Sequence, residues 1–241
     1  MIRLIKSLLP FSLKRDVKDH LGVPSMHWSL LNLKRLGYRP KMAADIGAYE
    51  GQWTKDFLEV FPGTKVLMAE AQPEKEVMLQ KVKAAYPGVE FTISVLSSEE
   101  NKKIIFNENE TASHISESKQ LTQQQGQKEY FTKTLDGIIE KSAMGLPDFL
   151  KLDVQGHEIE VLKGGATALK NATFCLLEVT MISLGDKSPL IAEVIRFMGE
   201  NNYQVYDILQ FMRRPFDKAL YQADVLFIKK DSPYVSEKRW N

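Results

Sequence analysis

Chemistry is first suggested by two acids and two glycines. In MAADIGAYEGQW (Met42–Trp53) a short apolar run ends on Asp45, and Gly47 and Gly51 follow four positions apart. A strand that passes through a glycine turn into a helix brings a ligand against backbone N–H groups, because glycine accepts both a left-handed turn and a close approach. Gly47 is expected to take the turn, and Gly51 to leave room for the ligand. The spacing is Gly-x-x-x-Gly, not the Gly-x-Gly-x-x-Gly of dinucleotide binders, and Tyr49 stands where the middle glycine would be. A tyrosine there crowds a pyrophosphate. The expected ligand is therefore nucleoside-like without that group, and an NAD-dependent oxidoreductase is disfavoured. Glu70, in LMAEAQP, closes the next apolar run 25 positions after Asp45. An acid at the end of that strand accepts hydrogen bonds from ribose hydroxyls. Together these features indicate a ribose-bearing cofactor; the alternative is that Asp45 and Glu70 only cap helices.

The elements that must position these residues alternate along the chain. A helix is expected from Pro24 or Ser25 to Leu36, ending at Gly37. Strands are expected at Met42–Ile46, Lys65–Ala69 and Val89–Leu96, with helices at Gln52–Val60 and from Pro73 to Tyr86 between them. Residues 107–128 are polar and carry no period, as a surface loop or a lid would. Glu129–Thr134 reads as a strand, Leu135–Lys141 as a short helix, Phe149–Asp153 as a strand and Gln155–Leu169 as one amphipathic helix. Phe174–Val179, Gln204–Ile208 and Ala223–Lys229 follow as strands, with a helix at Pro189–Asn201. Strands separated by helices argue for a doubly wound α/β fold with helices on both faces of a mostly parallel sheet. No helix separates the last two strands, so they are expected to pair antiparallel at one edge. Such sheets bind ligands at the carboxyl ends of their strands, where the strand order reverses.

Bulk properties narrow the classes. With 241 residues and 44% hydrophobic content the chain can bury one large core. A net charge of +1 gives no general attraction to nucleic acid. Cys175 is the only cysteine, which excludes an internal disulfide and a zinc site of paired cysteines; it stands in an apolar run and reads as a buried, inert thiol. No run approaches the ~20 apolar residues of a membrane span. The first 36 residues read as a helical lead-in packed on a domain covering residues 37–241, with weak membrane-surface contact through Ile2, Leu4, Ile5, Leu8 and Leu9 as an alternative. The expected location is cytoplasmic.

Two clusters carry a family resemblance. The first is DIGAYEG (Asp45–Gly51) with AEAQP (Ala69–Pro73). The second is TLDGII (Thr134–Ile139), followed by FLKLDVQGHEIEVLKGG (Phe149–Gly165) and LLEV (Leu176–Val179). Over roughly Gly37 to Lys229 the chain resembles the FkbM family of class I S-adenosylmethionine-dependent methyltransferases. It departs at Tyr49, where the family usually has asparagine. The resemblance implies a Rossmann-like methyltransferase fold with a seven-stranded sheet and S-adenosylmethionine as cofactor. Asp45, Gly47 and Gly51 would lie at its methionine part, Glu70 at its ribose, and Leu96 and Ser97 near its adenine. It further implies O-methylation of a hydroxyl on a sugar, polysaccharide or small natural product. A nucleic-acid methyltransferase and a catalytically degenerate cofactor-binding module are the alternatives.

Asp153 ends a strand, and His157 and Glu158 open the next helix, so all three face the carboxyl edge of the sheet. Methyl transfer to oxygen needs an aligned acceptor and a group to take its proton. His157 is the expected base, since a helix N-terminus disfavours the imidazolium. Asp153 would orient the acceptor or the base; Glu158 would do likewise, or bond backbone donors at the helix start. Joint ligation of a divalent metal by the three is a further alternative. Glu178, in LLEV, lines the site or pairs with a lysine such as Lys151. The acceptor would meet the N-terminal helices, the 107–128 loop and the segment Gln210–Tyr221 with Arg213 and Arg214.

Overall fold

Alternate side chains of each central strand enter opposite cores, which explains why these strands read as nearly continuous apolar runs. In β7 (Phe149–Leu152), Leu150 and Leu152 pack with one cluster and Phe149 with the other. The computed structural model describes residues 23–107, 114–116, 127–184 and 188–236. The amphipathic N-terminal segment with Ile2, Leu4, Ile5, Leu8 and Leu9, and most of the polar stretch 107–128, lie outside them.

Seven strands form the main sheet: β1 (Met42–Ile46), β2 (Lys65–Glu70), β3 (Val89–Ile93), β7, β8 (Phe174–Thr180), β9 (Tyr203–Arg213) and β10 (Leu220–Lys229). Their order is β3-β2-β1-β7-β8-β10-β9. The pairs β1–β2, β2–β3, β1–β7 and β7–β8 are parallel, while β10 runs antiparallel to both β8 and β9. Strand order reverses between β1 and β7, which makes their carboxyl ends the crevice of the fold. There Asp45 stands in register with Lys151.

Helices α1 (Met26–Arg35), α2 (Gln52–Val60) and α3 (Glu76–Ala85) cover one face, burying Leu30, Leu33, Phe57, Leu58, Leu79 and Val82. The Ser25 side chain caps α1, and the Ser29 hydroxyl donates to Asp207 of β9 at 2.6 Å, which pins the helix over the hairpin. Helices α4 (Leu135–Ser142), α5 (Glu158–Lys163), α6 (Ala166–Asn171) and α7 (Ile191–Glu200) cover the other face.

β3 stops at Ile93, short of the expected Leu96, and Pro73–Lys75 forms a 3-10 turn ahead of α3. Three larger expectations change. The single helix Gln155–Leu169 is two short helices, α5 and α6, broken at Gly164-Gly165, where the Ser97 carbonyl packs directly against Gly164. The strand at Glu129–Thr134 does not join the main sheet. It is β6 (Gln127–Phe131), paired antiparallel with β4 (Lys103–Asn107), which also pairs with β5 (His114–Ser116) in a separate three-stranded sheet. The last hairpin is longer than the apolar pattern indicates, because β9 runs on to Arg213 along β10. Among the described residues no helix is long and apolar enough to cross a membrane.

Candidate active site

The turn after β1 has left-handed backbone at alternate residues: φ is +73° at Gly47, +50° at Tyr49 and +72° at Gly51. A Cβ on Gly47 would run into the carbonyl oxygen of Asp153. The glycine thus lets the turn close on the end of β7, whose Asp153 N–H donates to the Ile46 carbonyl at 3.0 Å. A Cβ on Gly51 would lie 2.9 Å from Val82 Cγ2 and 3.3 Å from Met68 Sδ. The room expected there for a ligand is filled by the chain itself. Position 49 takes a conformation that asparagine adopts more readily than tyrosine; here Lys75 Nζ lies 3.8 Å above the Tyr49 ring and pairs with Glu50 at 3.2 Å.

Asp45 is wholly buried. Its Oδ2 accepts from the Thr54 hydroxyl at 2.7 Å, and its Oδ1 pairs with Lys151 Nζ at 3.1 Å. Lys151 Nζ also donates to the Gly47 carbonyl at 2.9 Å and lies 3.9 Å from Asp153 Oδ2. Burial works to lower the ammonium's pKa, but Asp45 and Asp153 outweigh it and hold the value raised. Asp45 therefore braces the turn from inside. Lys151 is the hub joining β1, the turn and the acid at the end of β7. Of the two readings for Glu178, the pairing with Lys151 gives way to this Lys151–Asp45 pair.

Glu70 closes β2 with its carboxylate turned back on the loops. Oε2 accepts from the Tyr49 N–H at 2.7 Å, and Oε1 from the N–H groups of Ala71 and Gln72 at 2.9 and 3.0 Å. Burial pushes its pKa up, against the pull of these donors. The backbone continues past β3 to Leu96, which bridges to Lys133 and packs in the core, and to Ser97, which is also buried.

His157 and Ser97 meet: Ser97 Oγ and His157 Nε2 lie 3.0 Å apart. Glu158 turns away, its Oε1 accepting from the N–H groups of Val154 and Gly156 at 3.0 and 3.2 Å. This is the backbone-bonding alternative read for it from the sequence. Burial pushes its carboxyl up to about 7. Asp153, His157 and Glu158 thus turn to different partners, and among the described residues no three His, Cys, Asp or Glu side chains are grouped to hold a metal ion.

A second group stands beside Asp153. Gln155, at φ +53°, donates from Nε2 to Asp153 Oδ1 at 2.9 Å and to Glu178 Oε2 at 3.1 Å. Gln222 donates to the same Glu178 oxygen at 2.9 Å, and Asp224 of β10 stands in register with Glu178. Burial, then Asp153, Glu158 and Asp224, push Glu178 up to about 8; burial and Asp153 push Asp224 up to about 6. Sequence reasoning misses Gln155, Gln222 and Asp224. The available signal is Asp224 itself, an acid within the otherwise apolar run Ala223–Ile228.

Residues 45–205 match the family described as Methyltransferase FkbM domain. The chain belongs to the FkbM methyltransferase family. In this FkbM domain the match runs from the acid closing β1 into β9, so it takes in the glycine turn, Glu70 and the acids that end β7 and β8. The hexuronic acid methyltransferase AglP of Haloferax volcanii is 41% identical over 49 residues, 20% of either chain. Among solved structures, the precorrin-6y C5,15-methyltransferase of Geobacter metallireducens gives a TM-score of 0.49 at 11% identity, covering 86% of this chain and 88% of that one. The magnesium protoporphyrin IX methyltransferase of Synechocystis gives 0.48 at 14% identity, covering 92% and 85%.

Family membership makes S-adenosylmethionine the cofactor, and the residues present fit it on two counts. A carboxylate offers about four acceptor positions. Glu70 uses three on N–H groups, which leaves one for a ribose hydroxyl. At the other end, Asp153 and Asp224 act on the Lys151 ammonium and Glu178 stands beside Asp153, an acidic group that favours a nearby cation such as a sulfonium.

Proposed function

We propose that the protein is an S-adenosylmethionine-dependent O-methyltransferase whose acceptor is a hydroxyl of a sugar unit, in a saccharide or a small natural product. The observation that carries this reading is the half-exposed Asp153 beside Glu178 at the carboxyl edge of β7 and β8. These groups can accept the hydrogen of an incoming hydroxyl. The likeness to a hexuronic acid methyltransferase over 49 residues supports an oxygen-rich acceptor.

The cofactor supplies an electrophilic methyl group on a sulfonium. The chain's own residues do the rest. Glu70 holds the ribose end. Lys151 fixes the turn and Asp153 in one geometry through Asp45 and the Gly47 carbonyl. Asp153 orients the acceptor hydroxyl, since a group held by a rigid strand end is worth more in an in-line displacement than one on a mobile loop. His157, bonded to Ser97, sits on the side of the site that follows β3 and helps position the adenine end.

The test is incubation with methyl-labelled cofactor and a set of oligosaccharides ending in hexuronic acid or in neutral hexose, read by mass spectrometry. A mass gain of one methyl on a hydroxyl supports the reading. Transfer to a nucleic acid but to no saccharide would overturn it.

A further inference from the structure

We propose that Glu178 takes the proton of the acceptor hydroxyl and that Gln155 and Gln222 hold it for that step. This inference deepens the methyl-transfer reading above and rests on it.

The candidates for a base differ in what already engages them. His157 Nε2 faces the Ser97 hydroxyl. Glu158 is buried and closes the backbone of residues 154 and 156. Asp153 has Gln155 on one oxygen and the Lys151 ammonium 3.9 Å from the other, so part of its charge is already balanced. Glu178 differs from all three. Both amides bond its Oε2 and, among the described residues, Oε1 accepts no hydrogen bond and no cation pairs with it. Neutral donors on one oxygen fix the carboxylate plane and lower its proton affinity less than an ion pair would.

The groups facing Glu178 make it a stronger base than an ordinary glutamate. Asp153 at the end of β7, Glu158 at the start of α5 and Asp224 on β10 raise its proton affinity, and Lys151 on β7 opposes them. A general base works best when its pKa lies near the operating pH. In the step, the acceptor O–H bond breaks and its proton passes to Glu178 Oε1. The oxygen forms the new O–CH3 bond as the methyl–sulfur bond breaks. The electron pair of that bond stays on sulfur, which leaves as a neutral thioether. Glu178 then returns the proton to water.

The left-handed backbone at Gln155 supports a positioning role, because it aims one amide at Asp153 and Glu178 together. Gln155 thereby sets the spacing between the group that orients the acceptor and the group that takes its proton.

The first test needs no acceptor. S-adenosylmethionine and S-adenosylhomocysteine differ in the charge on sulfur, so a titrating carboxylate beside that sulfur releases more proton when the first binds. Calorimetry at pH 7.5 in two buffers of different ionisation enthalpy measures this. The wild type is expected to release more proton with the methionine form than with the homocysteine form. Glu178→Gln should abolish that difference, whereas His157→Ala should keep it. The second test is the pH profile of methyl transfer to hexuronic acid oligosaccharides. Glu178→Gln should lower turnover about 100-fold or more and remove the rise with pH, with S-adenosylhomocysteine affinity changed by less than about threefold, which also shows a folded site. A Glu178→Gln protein with wild-type proton release or a wild-type pH profile overturns the assignment. A wild type that methylates no saccharide overturns the acceptor reading instead, and the proton measurement still decides on Glu178.

Discussion

Lys151 and Asp45 stand in register on adjacent parallel strands, and their charges meet 3.1 Å apart with almost no exposed surface. Removing one partner of such a pair leaves an uncompensated buried charge, which costs about 3–5 kcal/mol. Lys151→Met is therefore expected to lower Tm by roughly 6–20 °C for a chain of this size. The double variant Lys151→Met, Asp45→Asn should recover much of the loss. Thermal unfolding of both proteins checks this; equal losses in the two would mean that the pair is not the source.

Gly51 separates a packing role from a ligand role. Its positive φ and the proximity of Val82 predict that Gly51→Ala destabilises the ligand-free protein by about 1–3 kcal/mol. Urea unfolding without cofactor measures it. Unchanged stability with weakened cofactor binding would return Gly51 to the role read from the sequence.

Stability should fall as pH rises through the neutral range. Glu158 is pushed up to about 7, Glu178 to about 8 and Asp224 to about 6, in each case first by burial. In the unfolded chain these groups ionise near 4.5 for glutamate and 3.8 for aspartate. Between those values and about 8 the folded protein binds more protons than the unfolded one. The stabilisation is complete below the unfolded values and is lost as pH rises through the folded ones. A carboxyl that ionises one pH unit higher in the folded chain than in the unfolded one contributes ~1.4 kcal/mol. For each such contribution, Tm should fall by roughly 3–6 °C between about pH 5.5 and 8.5. Glu178→Gln should flatten the curve; a Tm that climbs across this window would contradict the burial of these carboxyls.

Glu70 offers a direct handle on the cofactor. Glu70→Gln keeps an acceptor but loses the charge that strengthens it, and hydrogen bonds to charged groups contribute about 1.5–3 kcal/mol. S-adenosylhomocysteine binding should weaken by roughly 10- to 150-fold in calorimetry. Unaltered affinity would place the ribose elsewhere.

The Ser97–His157 contact predicts coupling. Ser97→Ala and His157→Ala should each weaken cofactor binding, and the double variant should do little more than either. The coupling energy is expected at about 0.5–1.5 kcal/mol, read from a double-mutant cycle on cofactor affinity. Strict additivity would show that the two act separately.

Local pattern carries much of this architecture. The apolar run, acid and glycines of Met42–Gly51 announce strand, turn and helix, and Glu70 announces the end of β2. Each of these signals lies within one element and its turn. What stays hidden depends on partners distant in sequence. Lys151 reads from the sequence only as a candidate partner for Glu178 until the register of β7 on β1 sets it against Asp45. Gln222 and Asp224 reach Glu178 only because β10 inserts antiparallel between β8 and β9, which no local pattern encodes. Gly164 and Gly165 fit the period of a continuous helix, because periodicity does not register the Ser97 carbonyl that packs against Gly164 or the Leu135 side chain that packs against Gly165.

The three N–H groups that Glu70 already holds tie the turn at Tyr49 to the loop at Ala71 and Gln72. The two loops are thus latched to one another by the carboxylate proposed above to receive the ribose. On that proposal the loops are already joined before the nucleoside arrives. In stopped-flow mixing, association should give a single exponential whose rate climbs linearly with ligand concentration, without the plateau that a preceding rearrangement imposes.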